Sequence, residues 1–395
     1  MQNSSLRTLK NSKFSYRLID SIEEISAKEW DTVNVRNNIY LSHDYLSAFE
    51  AGMKEQIDVK YVIFYASQNE IIGVSALQIL YFKPKELLQD RIPLGIANKV
   101  KLFFSEHKKV SLLVCGNLFA CGENGFAHTD FIERASFLKL VSKTLCELFK
   151  GSADNPKISF ALLKEFWREN NDTNKMLEKE NFIGFGIDVN MVLHLKNEWK
   201  TFDHYLNNMN TKYRTRAKNV FKKSAVFEKR DFTENQIESY LLEIDKMYVE
   251  ILKNVGYNLG VLKAKTFVHL KKKLKNQFVF TAYFKDEVFV GFSTAFVFGA
   301  ICDANFIGID YSYNKNYKLY QRMLYDYVEM SIERKCNELR LGRTAETIKS
   351  VVGAKPVPMK LFARHRNCIP TKLLRLVLGA IRPVSYEIRN PFKTK

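Results

Sequence analysis

Glycine and proline are sparse in this chain, 17 and 8 among 395 residues, and cysteine is sparser still at six. With no low-complexity tract, that scarcity excludes a collagenous or disordered polypeptide. The cysteines (Cys115, Cys121, Cys146, Cys302, Cys336, Cys368) lie far apart and form no Cys-x-x-Cys pair. Their spacing argues against a zinc site or a disulfide framework and predicts reduced thiols in a cytosolic protein. No histidine accompanies a Gly-x-Ser-x-Gly elbow and no phosphate-binding P-loop is present, so the Ser-His-Asp hydrolases and P-loop nucleotidases are set aside. Residues 1–10 lack the apolar centre of a secretory signal. The longest near-apolar stretch, 288–309, is interrupted by Asp303 and Asn305. Its β-branched and aromatic residues predict two buried strands rather than a membrane span.

What is present is apolar bulk and positive charge. A 46% apolar content with 30 Phe and 19 Tyr supplies two cores, matching two domains of roughly 180–200 residues each. The net charge of +18, from 61 basic and 43 acidic residues, raises affinity for phosphate on a cofactor, a nucleic acid or a membrane face. It does not choose among them, and solubility alone is the competing account.

Along the chain, residues 14–19 read as a strand. A helix follows from Ser21, which forms a capping-box pattern with Glu24 and places Trp30 on the apolar face. Ser42 caps a second helix carrying Tyr45, Leu46 and Phe49. A hairpin over 59–66 and 71–80 comes next, then a strand at 110–115, a helix at about 130–150 and a strand at 158–163. The second half repeats this order. Helices at 234–254 and 263–275 precede a hairpin over 278–284 and 288–298, a strand at 301–309, a helix at 317–335 and a strand at 338–341. Gly73-Val-Ser75 in the first hairpin overlays Gly291-Phe-Ser293 in the second, and the shared order predicts an internal duplication.

Residues 337–366 carry the densest signal: a strand, a tight turn at Gly342, a short polar helix and a second strand. Arg343, Thr344, Glu346 and Lys349 follow the glycine at the end of an apolar strand, where α/β sheets present ligand-facing groups, and Thr344 is the expected helix cap. This segment, and the doubled element order, resemble the FemAB-like members of the GNAT superfamily, the peptidoglycan-biosynthesis type of N-acyltransferase. The resemblance implies an α/β (α+β) protein with two tandem GNAT-like domains, each a mixed, mostly antiparallel sheet flanked by helices. The expected division is an unstructured segment at 1–13, domains at 14–195 and 196–368, and a basic amphipathic tail at 369–395. It also implies an enzyme that moves an acyl or aminoacyl group to an amine of a small molecule, a lipid or a cell-envelope precursor. The donor substrate would be acyl-CoA, another acyl thioester such as one on an acyl carrier protein, or an aminoacyl-tRNA, with no tightly bound cofactor and no metal.

Acyl transfer to an amine needs a proton acceptor and a group that stabilises the developing oxyanion. Glu346 and Asp303 are the candidate bases, and Lys349 and Arg343 the candidate cations. An internal salt bridge from Glu346 to Arg343 or Lys349 is the competing role. The stretch 116–128 holds Gly116, Gly122 and Gly125 between a strand and a helix, where backbone N–H groups gather around an anion. An ordinary loop needing glycine at its turns fits the same pattern. Its expected counterpart in the second half, 310–316, lacks glycine, so Tyr313 and Lys318, with Lys315 and Tyr320, become candidates for donor or acceptor contacts. The run 212–223 holds six cations and no acid. As a helix it places Arg214, Lys218 and Lys222 on one ridge beside Arg216, a phosphate grip for tRNA, a lipid precursor or CoA, or simply a solvated face. The segment 372–382 is short, apolar and basic, suited to the cytoplasmic face of a membrane or to a packed terminal helix. A second reading of the whole is a non-catalytic basic protein that binds RNA or anionic membrane through a degenerate GNAT site.

Overall fold

The computed structural model describes residues 6–9, 13–34, 37–66, 70–82, 110–149, 151, 158–167, 171–186, 189–253, 260–367, 371, 374–375, 378 and 386–393. The chain divides into two compact units, Met1–Asp188 with Pro358–Val384, and Val189–Val357 with Ser385–Lys395.

The first unit starts earlier than residue 14. Strand β1 (Arg7–Thr8) pairs with β2 (Ser15–Ile19), and Leu9 is buried in the core, so this part of the segment expected to be unstructured is folded. The Ser21–Glu24 capping box forms, but it closes a single 3₁₀ turn, Ile22–Glu24, because Ile25 returns to extended backbone. A second box, Ser26 with Glu29, opens helix α1 (Ala27–Asp31), whose Trp30 is fully buried and donates its indole N–H to Leu41 O at 2.7 Å. Ser42 caps α2 (His43–Met53) by accepting the Tyr45 N–H, a bond worth about 1 kcal/mol. The unit continues through β3 (Asp58–Tyr65), β4 (Ile71–Phe82), β5 (Val110–Cys115), β6 (Phe126–His128), α3 (Arg134–Leu148), β7 (Phe160–Trp167), α4 (Asn171–Lys179) and β8 (Ile183–Phe185). Val62, Phe64, Leu113 and Leu163 of the strands pack with Phe137 and Val141 of α3 in its core.

The second unit runs β9 (Val189–His194), α5 (Phe202–Asn208), α6 (Thr211–Ser224), β10 (Glu228–Asp231), α7 (Glu234–Ser239), α8 (Leu241–Lys253), α9 (Ala264–Leu274), β11 (Phe278–Lys285), β12 (Val288–Phe298), β13 (Ile301–Ile309), α10 (Tyr311–Tyr317), α11 (Leu319–Glu333), β14 (Glu338–Arg340) and α12 (Glu346–Ser350). The last strand, β15 (Lys355–His365), belongs to the first unit from Pro358 onward and pairs there with β7 and β8. The helix expected over 234–254 is two helices meeting at Tyr240. The stretch 310–316, expected as a loop, is helical because the Asp310 carboxylate accepts the Ser312 N–H at 2.9 Å and caps α10. Lys318, left-handed at φ 59°, separates α10 from α11. At the far end, residues 386–393 of the expected basic amphipathic tail belong to the second unit. Asn210 N–H donates to Pro391 O at 2.8 Å, and the Phe392 ring packs against Trp199 at 5.0 Å and Tyr205 at 5.7 Å. Most of 372–382 lies outside the described residues.

In the first unit the strand order is β1-β2-β3-β4-β5-β7, antiparallel except for β5–β7. In the second it is β9-β14-β13-β12-β11-β10, antiparallel except for β13–β14. Each parallel pair is bridged by a helical crossover (α3, or α10 with α11), as a parallel connection requires.

The duplication is visible in hydrogen-bond register. Phe64 pairs with Gly73 and Tyr65 with Ile71, leaving Ile72 as a bulge. In the second unit Tyr283 pairs with Gly291 and Phe284 with Phe289, leaving Val290. Each glycine faces the following crossover helix. A Cβ on Gly73 would stand 2.0 Å from the Phe137 ring of α3, and one on Gly291 3.0 Å from Met323 Cε of α11. Across the other edge, Gly73 and Ser75 meet His128 and Phe126 of β6, as Gly291 and Ser293 meet Ile309 and Ile307 of β13. The single strand β13 thus corresponds to β5 and β6 together, and residues 116–125 form an excursion within that strand. The glycine loop is therefore not the counterpart of 310–316, because the bulged hairpin aligns 129–133 with that segment.

Candidate active site

In the second unit, β13 and β14 run side by side for three residues, Ile301–Asp303 against Glu338–Arg340, and Asp303 and Arg340 are the last pair in register. β13 continues to Ile309, whereas the chain after Arg340 follows β9: Leu341 N–H donates to Met191 O, and Met191 N–H to Gly342 O. The two strands therefore part at Asp303 and Arg340. Asp303 is 2% exposed on β13. The Arg340 Nε donates to Glu338 Oε1 at 2.5 Å.

The turn that leaves this point is sharply bent. Gly342 (φ 72°), Thr344 (φ 63°) and Ala345 (φ 53°) are all left-handed, which costs a residue with a side chain roughly 1–2 kcal/mol. Ala345, not Thr344, is the residue before α12, and no side chain caps that helix. Hydrogen bonds hold the bend instead. Asn190, fully buried on β9, accepts the Gly342 N–H on Oδ1 at 3.0 Å. Lys349, 6% exposed, donates from Nζ to the Arg343 carbonyl at 2.5 Å. The C-terminal segment clasps the helix: Glu387 N–H donates to Thr347 Oγ1 at 3.2 Å and Arg389 N–H to Ser350 Oγ at 2.9 Å.

Glu346 is the half-buried first residue of α12, and a carboxylate is favoured in a helix's first turn. Burial, then the neighbouring Tyr311 and Glu346, push the Tyr320 phenol far above its usual range. Burial and then Glu346 also raise Tyr386. One carboxylate and three phenols from α10, α11, α12 and the C-terminal segment thus share an electrostatic neighbourhood. Sequence reading did not find Tyr386 or Tyr311, because nothing local links positions so far apart.

Among the cofactor candidates, Tyr313 packs on Tyr317 with ring centroids 6.2 Å apart, and Lys318 is the hinge at the start of α11. On α6, Arg216, Lys218 and Lys222 are exposed and Arg214 is half-buried, while Ala217 and Val220 turn inward. The predicted helix and its faces are as read, with the charge on the outer side.

The first unit's glycine loop is bound to its own chain. Gly116 N–H donates to Ala76 O at 3.3 Å and Gly122 N–H to Glu165 Oε2 at 2.8 Å, while Gly125 O accepts the Ala76 N–H at 2.9 Å. Close approach explains the glycines: a Cβ would come within 2.7 Å of Lys164 at Gly116, 2.6 Å of Trp167 at Gly122 and 2.7 Å of Cys115 backbone at Gly125. These contacts favour the ordinary-loop role over an anion cradle for Gly116 and Gly122. The anchor is a buried charge pair, Lys164–Glu165 at 2.7 Å, with Lys164 Nζ also donating to Ala120 O at 2.7 Å. The signal for it was present in Leu162-Leu163-Lys164-Glu165-Phe166-Trp167, two opposite charges inside an apolar strand.

No protein-family model matches the sequence, and no curated protein matches it. Solved structures do match. One is a crystal structure of FemX, 10% identical, covering 90% of this chain and 98% of that one with a TM-score of 0.56. Another is a tandem GNAT protein from the clavulanic acid biosynthesis pathway, 6% identical, covering 90% and 99% with a TM-score of 0.53. A third is a conserved protein of unknown function from Bacteroides thetaiotaomicron VPI-5482, 11% identical, covering 88% and 98% with a TM-score of 0.50. These likenesses show a mixed α/β fold of the FemAB-like, GNAT type, and the doubled hairpin and the two parallel crossovers are in keeping with it. Among the described residues, no helix is long and apolar enough to cross a membrane.

Proposed function

We propose that the protein is an N-acyltransferase that passes an acyl or aminoacyl group directly from a thioester or an aminoacyl-tRNA to an amine. The observation that carries this reading is the parting of β13 and β14 at Asp303 and Arg340, with the Gly342–Lys349 turn at the same end. In α/β sheets, ligand groups sit where parallel strands diverge at their C-terminal ends. The FemAB-like fold agrees with it.

In the proposed step the amine nitrogen attacks the acyl carbonyl carbon. A C–N bond forms, and the C–S bond of a thioester or the C–O bond of an aminoacyl ester breaks. Glu346 takes the proton that the amine loses, and the departing sulfur or oxygen is protonated in turn. Glu346 suits this role better than Asp303, because it is half-exposed at a helix start, whereas Asp303 is buried beside Arg340. Asp303 is then a positioning residue. Lys349, whose Nζ is engaged by the Arg343 carbonyl, holds the turn. The exposed cations of α6 would take the phosphates of CoA, a tRNA or a phosphorylated acceptor.

The test is a transfer assay with acyl-CoA, acyl carrier protein and aminoacyl-tRNA donors against small-molecule, lipid and cell-envelope amines, read by mass spectrometry. Glu346→Gln should lower transfer by about 100-fold or more, the range for loss of a general base, at an unchanged melting temperature. Wild-type turnover in that variant would remove Glu346 as the base. Failure of the unaltered protein with every donor would remove the transferase reading itself.

A further inference from the structure

Helices α8 and α9 of the second unit lie on one face of its sheet. Tyr248 of α8 and Phe267 of α9 both pack against the Phe306 ring of β13, at 5.7 and 5.3 Å. Phe267 also meets Phe292 of β12 at 5.8 Å, whereas the preceding residue, Gly291, faces α11. Neighbouring residues of a strand point to opposite faces, so α11 covers one side of the sheet and α8 with α9 the other. The Asp245 carboxylate of α8 accepts the Ala264 N–H at 3.1 Å and joins the start of α9 to it. What these two helices turn away from the sheet is therefore one continuous outer surface.

On α8, Ile244, Met247 and Tyr248 are buried toward the sheet. At about 100° per residue, the opposite stripe is Leu242, Lys246, Val249 and Lys253, and all four are exposed. Leu242, at 84%, is the most exposed large apolar side chain among the described residues, and Val249 is 40% exposed. On α9, Ala264, Phe267, Leu270 and Leu274 are buried, and Lys265 and Lys272 form the exposed crest. The two crests thus carry four lysines, two aliphatic side chains and no carboxylate. Glu243 and Glu250 lie about a quarter-turn round α8, on the flank away from Asp245, from where Glu250 reaches the Lys253 ammonium at 2.6 Å.

Lysines interleaved with exposed aliphatic side chains match the chemistry of one partner. The ammonium groups attract acidic lipid headgroups, while the lysine stems lie along apolar surface. Leu242 and Val249 gain by entering the boundary between headgroups and acyl chains. A nucleic acid would use the lysines but not the aliphatic pair, and no aromatic or arginine side chain stands on either crest to stack on a base. A second copy of the chain would bring like charges together.

We propose that the outer surface of α8 and α9 docks on an anionic lipid bilayer, with Lys246, Lys253, Lys265 and Lys272 at the headgroups and Leu242 and Val249 inserted among them. The surface shares no residue with the transferase site and does not depend on that reading.

Flotation of the full chain with phosphatidylcholine vesicles, with and without phosphatidylglycerol, tests the surface. Binding should require the anionic lipid and weaken as salt is raised. Lys246→Gln/Lys272→Gln should weaken it about 25-fold at low salt, roughly fivefold for each lysine. Leu242→Ser/Val249→Ser should weaken it about tenfold at every salt concentration, through the loss of aliphatic burial. All four positions are exposed, so both variants should melt like the unaltered chain. Failure of the unaltered chain to bind anionic vesicles would overturn the proposal. Undiminished binding by both variants would do the same, and would assign the affinity to another part of the chain. So would a loss confined to the lysine variant, since a crest that does not insert fits a nucleic acid or an acidic protein instead.

Discussion

The Nζ of Lys349 lies 2.5 Å from the carbonyl oxygen of Arg343 and ties α12 back onto the turn that precedes it. Its sequence position beside Arg343 and Glu346 suggested a catalytic cation, and its burial and its bond to the Arg343 carbonyl give it the work of a clamp as well. Lys349→Met should therefore destabilise the protein by about 1–3 kcal/mol, the range for a buried carbonyl losing its donor. A shifted urea midpoint checks this, and an unshifted one would return Lys349 to the list of catalytic groups.

Gly73 and Gly291 follow equivalent bulges but differ in room. Gly73→Ala sets a methyl 2.0 Å from Phe137, within a ring that cannot yield, whereas Gly291→Ala meets Gly308 O and Met323 Cε at 3.0 Å. Overpacking of a filled core costs about 1–3 kcal/mol. Gly73→Ala should lie at or above the top of that range and Gly291→Ala near the bottom, as measured by chemical denaturation.

Glu165 is left-handed at φ 58°, and its carboxylate is bonded to Lys164 and to Gly122 N–H. Removing one partner of a buried pair typically costs about 3–5 kcal/mol, so Lys164→Met should be severe. The double variant Lys164→Met/Glu165→Leu should recover part of the loss, because no lone charge then remains buried. A double-mutant cycle measures the coupling, and simple additivity would mean that the pair is not held as described.

Burial raises the phenols of Tyr205, Tyr283, Tyr320 and Tyr327 above the usual tyrosine range. Their folded values exceed the unfolded value of about 10, so the folded state keeps protons that the unfolded chain releases. The stability they contribute is fully present below about pH 10 and falls as pH rises beyond it. Tyrosinate absorbance from these residues should therefore appear together with unfolding, not before it. Ionisation in a protein that remains folded would show that the phenols are accessible.

Much of the scaffold could be read from local pattern. Alternation marked both hairpins, and the strand 301–309 falls where it was expected, because apolar period and turn residues are properties of neighbouring positions. The charged outer face of α6 and the Ser42 cap follow for the same reason. The glycine loop was misaligned because β6 is only three residues long and has no pattern of its own; its place is known only from its pairing with β4. The turn after Gly342 was found, but not its bonding, since Asn190 stands 152 positions from its partner.

Element order, the bulged hairpin and the distribution of charge are thus written in the chain, since each depends on residues a few places apart. The hydrogen-bond partners of Lys349 and Glu165 are not, because burial and bonding arise only when distant segments pack. A charged or hydroxyl side chain acts as ligand, clamp or anchor according to what surrounds it, and that surrounding is a property of the folded molecule.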